Sequence, residues 1–120
     1  MAAHNELGAW GEEQAAAFLQ HKGYDIVERD WKSGHRDLDI IALDGDVVVF
    51  VEVKTRRNRL FGEPEEAVDY RKLQNLRQVI NYYVKAKHIR RTFRLDVITV
   101  VGTPDGAPPE ITHIEDIQMY

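Results

Sequence analysis

The most constraining feature of this sequence is a stretch of about eighteen residues, DIIALDGDVVVFVEVKTR, from Asp39 to Arg56. Two apolar runs flank Asp44-Gly45-Asp46, and Asp-Gly or Gly-Asp between such runs is a strong two-residue hairpin signal. The spacing predicts strands over 37–43 and 47–54. Alternation then gives one face Val47, Val49, Val51 and Val53 with Leu38, Ile40 and Ala42. The other face carries Ile41, Leu43, Val48 and Phe50 near the turn, and Asp37, Asp39, Glu52 and Lys54 at the open end. Strands apolar on both faces are covered on both sides. A strand facing water would carry polar residues along its whole length, whereas here they are confined to one end of one face.

That confinement has an electrostatic consequence. If the loop is Gly45-Asp46, Asp39 and Glu52 are directly opposed, with Cβ atoms roughly 4.5–5.5 Å apart. Two ionised carboxylates at that separation repel by roughly 3 kcal/mol at an effective dielectric near 20. Such a pair takes up a proton or holds a cation. Lys54 supplies one positive charge, and oxygen donors with no adjacent His or Cys favour Mg²⁺ or Mn²⁺ for the remainder. Mg²⁺ at such a site polarises a phosphodiester and acidifies water, with Lys54 placed to orient that water.

The rest of the chain frames this hairpin. Residues 5–22 read as an Ala-rich helix with Leu7, Trp10, Gln14 and Phe18 at helical spacing, Asn5 as its cap and Gly23 as its stop. Glu12 shares a stripe with Gly8, Ala16 and Leu19, and it enters the same site if this helix covers the charged end of the hairpin. Residues 24–31 predict a strand and KSGHR a loop. A second helix is expected from Pro64, with Glu65 and Glu66 in its first turn, to about Ala86, along the stripe Leu73, Leu76, Ile80 and Tyr83. Residues 93–101 predict a buried strand, and ITHIEDIQMY a short edge strand. The order α-β-β-β-α-β-(β) gives an α/β fold with a mixed central sheet flanked by helices.

Charge is unevenly distributed although the net charge is only −4. Residues 1–53 sum to −7, residues 54–94 to +8 and residues 95–120 to −5. A middle third this basic attracts phosphates, and it equally fits a solvated helix face. Arg56, Arg57 and Arg59 follow the acidic strand directly beside Phe61, a combination that grips a phosphate backbone or simply makes a solvated loop. Lys72, Arg77 and the stretch from Lys85 to Arg94 extend this surface. Tyr82 and Tyr83 read as packing residues. His4, His21, His35, His88 and His113 have no metal-binding spacing and read as surface residues, with His35 retained as a phosphate contact. Asp96, inside an apolar strand, is either a buried structural acid or a partner of the site.

With no cysteine, disulfides, thiolate catalysis and cysteine-held zinc are excluded, and a reducing cytoplasmic setting is expected. MAAHNELGAW lacks the basic and apolar regions of a secretory signal, and the run Val47–Val51 is too short to span a membrane. A chain of 120 residues is expected to form one domain over 1–120.

Asp39, the turn and Glu52-Val53-Lys54 resemble the PD-(D/E)xK nuclease superfamily, whose core signature is an Asp, a hairpin and Glu-x-Lys. Gly11-Glu12, the hairpin sequence, Lys72 and Arg94-Leu95-Asp96-Val97 together resemble the bacterial YraN-like family over nearly the whole chain. The resemblance implies a restriction-endonuclease-like fold with Glu12, Asp39, Glu52 and Lys54 at the active-site positions. Archaeal Holliday-junction resolvases are also similar, with a helix glutamate before the same set. One departure is visible: the family reads Gly-Glu-Ile-Asp where this chain has Arg36-Asp37-Leu38-Asp39, so Asp37 as an outer metal ligand is a shorter acid. The function expected is Mg²⁺-dependent hydrolysis of DNA phosphodiesters, branched or single-stranded, in repair or recombination, with metal on Asp39, Glu52 and Glu12. The alternative is a non-catalytic nucleic-acid-binding module on the same fold, and a protein-interaction domain is a third reading. Partners expected are nucleic acid and, to engage both strands of a duplex, a second copy in a symmetric homodimer, with no membrane.

Overall fold

The hairpin forms in the Gly45-Asp46 register. In the computed structural model, Asp44 pairs with Val47 and the antiparallel ladder runs through Leu43–Val48, Ala42–Val49 and Ile41–Phe50 to Ile40–Val51. The structure describes residues 2–60, 62, 63 and 68–119, with side chains from residue 6 onward. Phe61, Pro64, Glu65 and Glu66 lie outside the described residues.

The elements follow the expected order: α1 (Ala2–His21), β1 (Asp25–Ser33), β2 (Arg36–Asp44), β3 (Val47–Arg56), α2 (Tyr70–Ala86), β4 (Phe93–Val101) and β5 (Glu110–Ile114). They build a five-stranded mixed sheet in the order β1-β2-β3-β4-β5. β3 and β4 are parallel, and every other neighbouring pair is antiparallel. A parallel neighbour needs a crossover, and α2 supplies it. α1 covers one face through Ala15, Ala16 and Leu19, packed on Ile40, Ala42, Val49, Val51, Ile98 and Val100. α2 covers the other through Leu76, Val79, Ile80 and Tyr83, packed on Leu38, Ile41, Val48, Phe50 and Leu95. A mixed sheet between two helices is compatible with a nuclease-like fold.

Local signals explain the ends of the elements. Gly23 terminates α1 with φ +95. Its N–H donates to the Gln20 carbonyl and that of Tyr24 to Leu19, both at 3.0 Å. This is the Schellman arrangement, which needs a residue free to adopt positive φ. Asn5 is not the cap of α1, because the helix already runs from Ala2. KSGHR is not an open loop: Ser33 pairs with Arg36, leaving only Gly34 and His35 to turn. α2 starts at Tyr70, where the extended Asp69 caps it and accepts the Lys72 N–H at 3.0 Å, and the helix start expected at Pro64 lies outside the described residues.

One departure shapes the site. Leu38 was expected beside Ile40 and Ala42, yet it packs in the α2 cluster with Ile41, while Ile40 lies in the α1 cluster. Strict alternation cannot put residues 38 and 41 on one face, so β2 steps over at Asp39-Ile40. The ladder to β3 ends there, one pair short of Asp39–Glu52. Beyond that point β2 stays with β1 as far as Ser33–Arg36, whereas β3 continues along β4 to Arg56–Val101. The two central strands fork, and opposite the fork Asp30 of β1 takes up φ +53, a left-handed conformation that Asp tolerates better than most residues.

Candidate active site

Asp39 sits in the fork. Its Oδ2 accepts the Val53 backbone N–H at 2.8 Å, replacing the ladder bond that the parting strands forgo. Asp39 therefore points between the strands, not onto the face it was expected to share with Glu52. Burial pushes its carboxyl up to about 7, with the charge of Glu52 as the next cause and Glu12 and Asp37 adding to it. The Val53 N–H opposes the rise by favouring the ionised form.

Glu52 is buried, at 6% exposure. Two ammonium groups converge on its Oε2, Lys54 from the same strand at 3.2 Å and Lys72 from α2 at 3.4 Å. Lys72 had been expected on an outer nucleic-acid surface, but it belongs to the acid cluster itself. The Asp69 cap fixes the first turn of α2 and so places Lys72 over β3.

Glu12 arrives from the opposite side, on α1. Gly11 lets it approach: a Cβ at Gly11 would overlap Thr55 Oγ1 and come to 2.7 Å from its Cγ2. Only a glycine allows the helix to sit this close to the end of β3. Burial raises the Glu12 carboxyl pKa and Asp30 adds to the rise, while Arg29 and Lys32 counter it. Arg29 bridges Glu12 at 3.7 Å and Glu13 at 3.5 Å.

A cleft of about 1100 Å³ opens here, lined by Trp10, Glu12, Asp30, Asp39, Lys54 and Thr55 together with Arg56, Arg57 and Asn58. Glu12, Asp39 and Lys54 thus line one cleft, from α1, β2 and β3, with Glu52 beside Asp39 and Lys54 but outside the cleft lining. Asp37 is exposed and pairs with Lys32 in the β1–β2 ribbon. Arg59 is held by Glu63 at 2.8 Å and Glu110 at 2.5 Å. Among the described residues no three His, Asp or Glu side chains stand in a metal-holding geometry.

The profile of the "Uncharacterised protein family UPF0102" matches residues 11–100. The chain belongs to UPF0102. The match spans Gly11, the hairpin, α2 and nearly all of β4. Among UPF0102 relatives, a protein of Bacteroides thetaiotaomicron is 45% identical over 97% of this chain and 94% of its own length. One from Syntrophomonas wolfei is 49% identical over 92% and 96%, and one from Dictyoglomus turgidum 38% over 86% and 88%. This UPF0102 chain has, among its described residues, no helix long and apolar enough to cross a membrane.

One polar residue differs from its sequence reading, and another is resolved between its two. His113 is not a surface residue: its side chain is 3% exposed and its Nε2 lies 2.7 Å from Asp96 Oδ2. Asp96 is the centre of a buried network, accepting from Arg94 Nε at 2.9 Å and the Asp116 N–H at 2.9 Å. Burial pushes its carboxyl up, but His113, Arg94 and that N–H outweigh it and hold the pKa low. Asp96 bonds to β4, β5 and the segment after β5, which makes it a structural acid. Tyr83 is core, donating to Glu28 at 2.5 Å, whereas Tyr82 is 39% exposed under the Arg36 guanidinium.

Proposed function

We propose that this protein is a divalent-metal-dependent nuclease that hydrolyses phosphodiester bonds of DNA, branched or single-stranded, in repair or recombination. The observation that carries the reading is the fork. It holds Asp39 half-buried on the Val53 N–H, between Glu12 on one side and Glu52 with two lysines on the other. The donor set suits a hard cation: Asp39 is pushed up to about 7 by burial and by Glu52, the condition that a bound cation relieves. Asp39 and Glu52 would hold Mg²⁺ or Mn²⁺, with Glu12 as a further ligand or base only if its side chain closes on the ion, since no three carboxylates stand in a metal-holding geometry among the described residues. The ion would supply Lewis-acid activation of the phosphate and of water.

The chain's own groups do the remaining work. Lys54, at 20% side-chain exposure, is poised between Glu52 and the cleft and can orient a water or steady a developing negative charge. Arg56 and Arg57 line the cleft beside it, where they can hold flanking phosphates. Cytoplasmic location and a homodimer for double-strand cleavage remain part of this proposal.

The test is cleavage of labelled single-stranded, duplex and branched DNA in Mg²⁺ and Mn²⁺ by wild type and Glu52→Ala. Wild type should cleave at least one substrate and the variant none, and equal activity in both would sink the reading. The pairing of Glu52 with both lysines, which already neutralises it without a metal, favours the non-catalytic nucleic-acid-binding module as the second reading. That module binds in a salt-sensitive way and turns nothing over in any divalent metal.

A further inference from the structure

The two helices that cover the sheet carry opposite charge. α1 contains Glu6, Glu12 and Glu13 and no lysine or arginine. α2 contains Arg71, Lys72, Arg77 and Lys85 and no aspartate or glutamate. Residues Arg71, Asn75, Gln78, Tyr82 and Lys85 recur at helical spacing, and all five are exposed. The outward face of α2 is therefore a stripe of cations, amides and a phenol with no acid. It starts one residue from Lys72, whose ammonium reaches Glu52. Just beyond the helix, Lys87, Arg90 and Arg91 are exposed as well.

We propose that the outward face of α2 is the docking track for one phosphate backbone of a nucleic-acid duplex that runs from the cleft past Lys72 and along the helix. The proposal rests on the nucleic-acid reading above but not on turnover. It narrows the branched or single-stranded substrate of that reading to one with a duplex arm, and it gives that arm a side, against α2 and away from the acidic α1. From Arg71 to Lys85 the helix rises about 21 Å, close to six base-pair steps of a duplex at roughly 3.4 Å each. Single-stranded nucleic acid is gripped by aromatic platforms on which successive bases stack. α2 does not offer them. Tyr70 and Tyr82 stand about 18 Å apart along the helix, and Arg36 already lies 4.0 Å over the Tyr82 ring.

The test is binding, in chelator, of fluorescein-labelled duplexes of about 8 and about 24 base pairs and of a single strand, read by anisotropy across a salt series. The duplex should bind more tightly than the single strand, the longer one more tightly than the shorter. The double variant Arg71→Ala/Lys85→Ala should lower the log–log salt slope by about two and weaken binding at low salt by roughly tenfold or more. Glu6→Gln on α1 should leave the slope unchanged. Melting temperatures of both variants should match wild type, since the altered residues are exposed. An unchanged slope in the α2 variant overturns the proposal even if cleavage is seen. Preference for the single strand, for anionic lipid vesicles or for an acidic peptide also overturns it. A length-dependent duplex affinity lost with Arg71 and Lys85, but with no cleavage in any metal, upholds the track and removes the nuclease.

Discussion

Replacing Asp39 with asparagine should raise the melting temperature at pH 8 in the absence of metal. Asp39 is held at about 7 in the folded chain against roughly 3.9 unfolded. The folded state thus binds more protons between these values, and its stability falls as pH rises through that window. The contribution is fully present below about pH 4 and lost above about pH 7, amounting to up to about 4 kcal/mol for a shift of three units. Asparagine keeps an oxygen for the Val53 N–H and removes the charge. Variant and wild type should therefore melt alike at pH 4 and diverge toward pH 8. With metal the gap narrows from the wild-type side. An ion at 100 times its Kd stabilises the wild type by about 2.7 kcal/mol, some 8–10 °C for a chain of this size. The asparagine variant should lose that increment along with any cleavage. Parallel pH profiles for the two proteins would show that burial and Glu52 do not govern Asp39.

Gly11→Ala should destabilise the protein by about 3 kcal/mol, roughly 10 °C. Gly-to-Ala inside a helix ordinarily stabilises by up to about 1 kcal/mol. The sign is inverted because the new methyl would come to 2.8 Å from Thr55 Cβ as well as overlapping its hydroxyl. A β-branched side chain cannot swing clear, so α1 must lift from the end of β3 and take Glu12 with it. Gly8 is the internal control. A Cβ there meets nothing within 4 Å, so Gly8→Ala should stabilise by the ordinary amount. Thr55→Ala should rescue Gly11→Ala in part, since it removes the hydroxyl and the methyl but not Cβ. Equal behaviour of the two glycine variants in thermal melts would refute the close approach.

Much of the sheet was legible because its signals are local. The Gly45-Asp46 turn sets the register of β2 and β3, Gly23 stops α1, and FRLDVITVV marks β4 without ambiguity. Glu52 and Lys54 could be placed together from their spacing alone. The step at Asp39 could not be read, because strands covered on both faces give no polar residue to reveal which face each side chain takes. Ile40 and Ile41, adjacent and both buried, were the only trace of it. Lys72 was read as an outer contact because its reach to Glu52 depends on where α2 crosses the sheet. The start of that helix was read at Pro64, and the Asp69 cap that sets its first turn went unnoticed. His113 looked like a surface residue on a short edge strand. Its burial depends on Asp96, and a carboxylate inside an apolar strand was the available sign that some cation had to reach it. Gly11 entered the reading only through family resemblance, since its neighbour Thr55 is 44 positions away in the chain.

The parallel pairing of β3 with β4 also bears on the order in which the molecule assembles. β1, β2 and β3 are consecutive and joined by two-residue turns, so their contacts close over short lengths of chain and form quickly. β4 meets β3 only between residues some 45 apart, such as Val48 with Phe93 and Val53 with Ile98. Closing that span is entropically costlier and slower. The local contacts of the hairpin are therefore expected to form before α2 docks, at a stage when Lys54 is the one lysine beside Glu52. Lys72 reaches Glu52 only where α2 crosses the sheet, so the charge balance of the buried carboxylate is a property of the packed molecule and not of the hairpin alone.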